Sequence, residues 1–216
     1  MGSEMCIRDR ANIDISSEAK ESMKIGIDGI GLFRSEYLFM NKKRMPSENE
    51  QYDSLKKTLK YLKGKPLTIR TLDIGNDKKV PSIDRYLTKS PNPALGLRAI
   101  RLTLAFPKIF KRQISAILRA SKYGNIRIML PMVSNVSELL EAKKLISDVR
   151  NDLLSKKIKI LEKPVDIGVL IETPAAALIS ESIAKNCDFL AIGTNDLTMY
   201  TLSLIHISEP TRPLYI

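Results

Sequence analysis

Four charged side chains occupy the same kind of position in this sequence. Leu32 and Phe33 run into Arg34, Ile69 into Arg70, Ile171 into Glu172, and residues 192–194 into Asn195 and Asp196. Each follows a short aliphatic run, as a side chain at the end of a buried strand would. Two guanidiniums and two carboxylates gathered at one edge carry a large desolvation cost unless they are paired or bound to something. Two structural ion pairs are one reading. The sharper one has Glu172 and Asp196 holding a divalent cation through oxygen, while Arg34 and Arg70 hold a phosphorylated anion bound to the same ion. Mg²⁺ suits it best, because that ion takes one or two carboxylates and fills its other positions with water and phosphate oxygens. Arginine suits the anion because its planar fork makes two parallel hydrogen bonds to phosphate or carboxylate.

Other signals carry less. Arg98, in the stretch NPALGLRAIR at 92–101, lies early in an expected helix, where a cation gains nothing from the macrodipole and an anionic contact is the alternative. Asp73, Gly75, Asn76, Asp77 and Lys78 form a polar loop that either covers a ligand or simply turns the chain. Gly26, Gly29 and Gly31 enter an apolar strand rather than link a strand to a helix, so they read as turn and packing glycines, not a dinucleotide loop. Cys187 has no neighbouring His or cation to lower its pKa and reads as a small core residue. The single histidine, His206, has no partner and is given no role.

The elements that must position these residues are legible as alternating β-rich runs and helical segments, the pattern of repeated βα units and a parallel sheet. Strands are expected near 11–13, 29–33, 66–72, 126–132, 166–171 and 188–192. Helix starts are marked by Ser47 with Glu50, a capping box, and by the Asn92–Pro93 and Thr173–Pro174 pairs. Val136, Leu139, Leu140, Ile146, Val149 and Leu153 form an apolar stripe to lay on the sheet. Eight such units close a (β/α)8 barrel, typically in about 250 residues. Six are expected here, so the fold class is α/β, an incomplete TIM barrel. A doubly wound open sheet competes; polar side chains at the ends of four strands favour the barrel, although sites assemble at that edge in both architectures.

Composition excludes several classes. Of 216 residues, 44% are hydrophobic and 27% charged, a globular mixture rather than a disordered or fibrous one. No apolar stretch approaches the roughly 20 residues of a membrane span. Cys6 and Cys187 do not make a disulfide framework or a zinc motif, so a reducing cytoplasmic setting is expected. The net charge of +11 invites nucleic acid, but the cations lie among acids on expected helix faces and only five Phe accompany them. No nucleic-acid partner is expected. Residues 1–10 and 203–216 do not continue the neighbouring pattern and resemble translated adapter sequence, leaving 11–202 as the barrel segment.

The strings GIGLFRSEYLFM (29–40), TIRTLDIGNDK (68–78), NPALGLRAIR, AILRASKYGNIRIMLPM (116–132), IETPAAAL (171–178) and IGTNDLTMYTL (192–202) closely resemble the enzyme I family, the phosphoenolpyruvate-protein phosphotransferases that begin the bacterial sugar phosphotransferase system. Pyruvate phosphate dikinases and phosphoenolpyruvate synthases share the motifs after strands two and six, and a dikinase-like or noncatalytic binding barrel is the alternative. The resemblance implies the phosphoenolpyruvate-binding TIM barrel, with Arg34, Arg70, Arg98 and Asn195 on the substrate, Glu172 and Asp196 on Mg²⁺, and homodimer contacts nearby. It implies phosphoryl transfer from phosphoenolpyruvate to a histidine and on to the carrier protein HPr, with pyruvate released after a cysteine beyond strand seven protonates the enolate. Met199, Asn76 and Ser35 stand where the family has glutamine, glycine and threonine. The pattern stops after Leu202, before a further arginine, two strands and that cysteine, and the phosphohistidine domain is missing. The chain alone is therefore expected to be inactive.

Overall fold

The computed structural model describes residues 8–40, 42, 44–75, 80, 81, 83, 86 and 96–207. Strands and helices alternate: β1 (Arg10–Ile13), α1 (Ser16–Lys24), β2 (Gly29–Arg34), a 3-10 turn (Ser35–Leu38), α2 (Glu48–Leu62), β3 (Leu67–Arg70), α3 (Ala99–Ala105), α4 (Pro107–Ala120), a second 3-10 turn (Ser121–Tyr123), β4 (Ile126–Leu130), α5 (Val136–Ser155), β5 (Asp166–Ile171), α6 (Pro174–Leu178), α7 (Ser180–Ala184), β6 (Phe189–Ile192) and α8 (Thr194–Ile207). All six expected strands are present, with β3 and β4 two residues shorter at their exits than the apolar runs suggested. Positions 10 and 202 both fall inside elements, β1 and α8.

The sheet is wholly parallel and runs in the order β1-β2-β3-β4-β5-β6. A doubly wound sheet must reverse strand order at a switch point, and this one does not. Sequential parallel strands, each followed by helix, are the staves of a (β/α)8 barrel, of which the described residues form six units. β3 is buried at every position, as a stave covered on one face by helices and on the other by barrel interior must be.

Local chemistry sets the helix ends. Ser47 Oγ accepts from the Glu50 amide at 3.2 Å while Glu50 Oε2 accepts from the Ser47 amide at 2.8 Å, closing the expected box. Thr173 Oγ1 accepts from the Ala176 amide at 3.1 Å and donates to the Val133 carbonyl at 3.0 Å, so one hydroxyl caps α6 and ties it to the exit of β4. The Asn92–Pro93 start lies outside the described residues. In α5 the buried stripe is Leu139, Ala142, Ile146, Val149 and Leu153. Leu140, assigned to that stripe from sequence, is half exposed. One residue turns a helix by about 100°, and Ala142 takes the inward place instead. Gly29 earns its type by close approach, since a Cβ there would lie 2.6 Å from the Pro66 carbonyl oxygen.

Candidate functional site

All six residues singled out in the sequence line one cavity of about 630 Å³: Arg34, Arg70, Arg98, Glu172, Asn195 and Asp196. Its position follows from the topology. Arg34 ends β2, Arg70 ends β3, Glu172 follows β5, and Asn195 and Asp196 open α8 just beyond β6. In a parallel sheet these are all carboxyl ends, so four staves deliver their polar residues to one rim. Arg98 differs from its expected setting. It is not inside a helix but is the extended residue capping α3, at φ −144° and ψ 152°, and Ala99 after it takes φ 51°. That left-handed alanine is strained and turns the chain at the cavity wall.

The arginines arrive with carboxylate partners that sequence did not pair with them. Arg34 Nη1 lies 3.2 Å from Asp14 Oδ1, at the exit of β1. Arg70 Nη2 donates to Glu36 Oε1 at 2.5 Å and sits 3.2 Å from Asp73 Oδ2. Arg98 grips Asp73 with both arms of its fork, Nε to Oδ1 at 2.9 Å and Nη2 to Oδ2 at 3.2 Å. It also donates to the Tyr200 hydroxyl at 3.2 Å and lies 3.5 Å from Asp196 Oδ1. Burial alone pulls the Arg70 guanidinium down, but the fields of Glu36, Asp73 and Glu172 outweigh it and hold it above its ordinary value. These bonds preorganise the guanidiniums. Arg70 Nε is buried without a hydrogen-bond partner.

Glu172 is the counterpart of opposite sign. It is 1% exposed, and Oε1 accepts from the Met132 amide at 2.7 Å, an amide presented by a left-handed residue at φ 57°. Oε2 is buried and has no hydrogen-bond partner. Burial, with the Asp73 and Asp196 carboxylates adding to it, pushes the carboxyl up to about 8 against the pull of Arg70 and the Met132 amide. Gly193 lets the exit of β6 pass this group closely, since a Cβ there would lie 2.9 Å from Oε2. Asp196 stands 23% exposed in the first turn of α8, where the helix end favours negative charge. A buried carboxylate oxygen with no donor, facing a second carboxylate across one cavity, fits a hard cation. No cluster of three or more His, Cys, Asp or Glu side chains suited to a metal occurs among the described residues.

Sequence reasoning missed Asp14 and Glu36 and left Asp73 as an undecided loop residue. Glu36 had a signal, standing two residues past a strand-ending arginine; the structure buries it at 1%. Cys187 is half-buried against the main core, with its thiol pushed up by burial, in keeping with its expected packing role.

The family model described as PEP-utilising enzyme, PEP-binding domain, matches residues 5–209. The chain belongs to this PEP-binding domain family. Curated relatives of the domain are phosphoenolpyruvate-protein phosphotransferases. That of Staphylococcus epidermidis is 43% identical over 205 residues, 95% of this chain and 35% of the relative. Those of Priestia megaterium and Bacillus subtilis are 41% and 40% identical over the same shares. The chain thus spans about a third of the length of the relatives it matches. A citrate lyase structure from Burkholderia xenovorans LB400 aligns to 44% of this chain and 28% of its own, with 25% identity and a TM-score of 0.37.

Proposed function

We propose that this chain is the phosphoenolpyruvate- and Mg²⁺-binding barrel segment of a phosphoenolpyruvate-protein phosphotransferase of the sugar phosphotransferase system. One observation carries the reading: Arg70, with an unused buried Nε, and Glu172, with an unused buried Oε2, line the same cavity. Leaving either atom unpaired costs about 1–3 kcal/mol, more for charged groups. A ligand that is an anion on one side and a bound cation on the other satisfies both. Phosphoenolpyruvate with Mg²⁺ has that form.

Arg34, Arg70 and Arg98 bind and orient the phosphate and carboxylate, Arg98 being also tied to the wall by Asp73, and Asn195 contacts the phosphate. Glu172 and Asp196 would hold Mg²⁺, which would supply positive charge beside the phosphoryl group. The chain's contribution is positioning and electrostatic stabilisation, the main demands of phosphoryl transfer. In the complete enzyme the phosphoryl group passes to a histidine and then to HPr. The enolate left behind takes a proton at carbon and leaves as pyruvate. This chain supplies the site that binds phosphoenolpyruvate and orients its phosphoryl group for that transfer. A cytoplasmic homodimer is the setting of this proposal. Calorimetric titration with phosphoenolpyruvate tests it: binding with Mg²⁺ and its loss in EDTA are expected, and equal binding in both, or none in either, refutes it.

A further inference from the structure

We propose that Gln113, on α4 and outside the cavity, is the positioning residue for the anion-binding arginines. This rests on the reading that Arg70 serves an anion site. Gln113 is 2% exposed and shares its helix face with Ile109, Phe110, Ile114 and Ile117. An amide in such surroundings is costly unless bonded at both ends. It is bonded at both ends, and to two different staves. Its Oε1 accepts from the Leu72 amide at 2.9 Å, and its Nε2 donates to Ser35 Oγ at 3.0 Å.

The positions it ties are the ones that matter. Ser35 directly follows Arg34 and precedes Glu36; Leu72 lies two residues past Arg70 and precedes Asp73. Glu36 and Asp73 are the carboxylates that hold Arg70 Nη2. One helix-borne amide therefore sets the spacing between the exits of β2 and β3, and through it the two acids that aim Arg70. β3 ends at Arg70, so the buried Leu72 amide lies beyond the strand and takes its partner from Gln113. The cavity wall depends on a residue that never touches the ligand.

The test uses full-length Gln113→Met, which keeps the volume and removes both bonds, with Ser35→Ala and Ser35→Thr removing or restoring the hydroxyl partner. In phosphoenolpyruvate titrations with Mg²⁺, Gln113→Met is expected to weaken affinity roughly tenfold, about 1.4 kcal/mol, because the arginines lose their preset spacing. Ser35→Ala should weaken it by a smaller factor, and Ser35→Thr should keep wild-type affinity. The second readout needs no ligand: the Arg70 Nε–Hε nitrogen resonance should shift or broaden in Gln113→Met and Ser35→Ala, with that of Arg127, on β4, unchanged as control. If Gln113→Met fails to fold, Ser35→Ala carries both readouts. Unaltered affinity together with an unaltered Arg70 resonance overturns the proposal, whatever the loss of stability. Absence of wild-type binding defeats the functional reading alone, and the ligand-free resonance still decides the role of Gln113.

Discussion

Replacing Glu172 by glutamine should change how stability depends on pH. The Glu172 carboxyl rises from its ordinary 4.5 to about 8 in the folded chain, because burial and two neighbouring carboxylates disfavour its charge. For an acid raised on folding, the associated stability is fully present below 4.5 and is lost as pH climbs through about 8. The rise is worth about 5 kcal/mol in total at roughly 1.4 kcal/mol per pH unit, and about 4 kcal/mol of it falls between pH 5 and pH 8.5. Glutamine mimics the protonated form, keeps an oxygen for the Met132 amide and cannot ionise. Urea unfolding of both proteins in EDTA, followed by circular dichroism, should show Glu172→Gln gaining about 4 kcal/mol over wild type across that pH range. Mg²⁺ should narrow the gap at pH 8.5 by binding the ionised carboxylate. Parallel pH profiles without metal would refute the buried, unsatisfied state assigned to this group.

Further outcomes follow from the same contacts. Arg34→Ala should abolish measurable phosphoenolpyruvate binding, and Arg34→Lys should restore little of it, because a point charge cannot reproduce the fork; full rescue by lysine in calorimetry would contradict a two-point contact. Thr173→Val should lower unfolding free energy by about 1–2 kcal/mol through loss of the α6 cap, read by urea midpoints, with an unchanged midpoint as the contrary result. Ile192 is 70% exposed on the last described strand and Leu178, in α6, is 89% exposed, so the chain should self-associate. A single monomeric boundary in sedimentation velocity at tens of micromolar would count against that.

Much of the fold was legible because its signals are local. Six apolar runs of strand length, each followed by a helical segment, leave little choice of class, and Arg34, Arg70, Glu172 and Asp196 announce a rim by following those runs. The partners of these residues were not legible, because they come from other staves. Glu36 meets Arg70 across 34 residues and Gln113 meets Ser35 across 78, and only strand order and register bring them together. The setting of Arg98 was not legible either: Ala99 takes a left-handed turn that places Arg98 before α3 rather than within it, and nothing in its residue type signals that turn. Leu140 lies one residue out of phase with the inward face, and the smaller Ala142 holds the buried position.

The most direct measurement is an anomalous-difference map from crystals grown with Mn²⁺ in place of Mg²⁺ and with phosphoenolpyruvate. A single manganese peak bound by Glu172 Oε2 and Asp196, with the phosphate of the same ligand against Arg34 and Arg70, is the expected result. Manganese elsewhere in the molecule, or phosphoenolpyruvate seated away from those arginines, would show that the acids and the cations of this rim do not share a ligand.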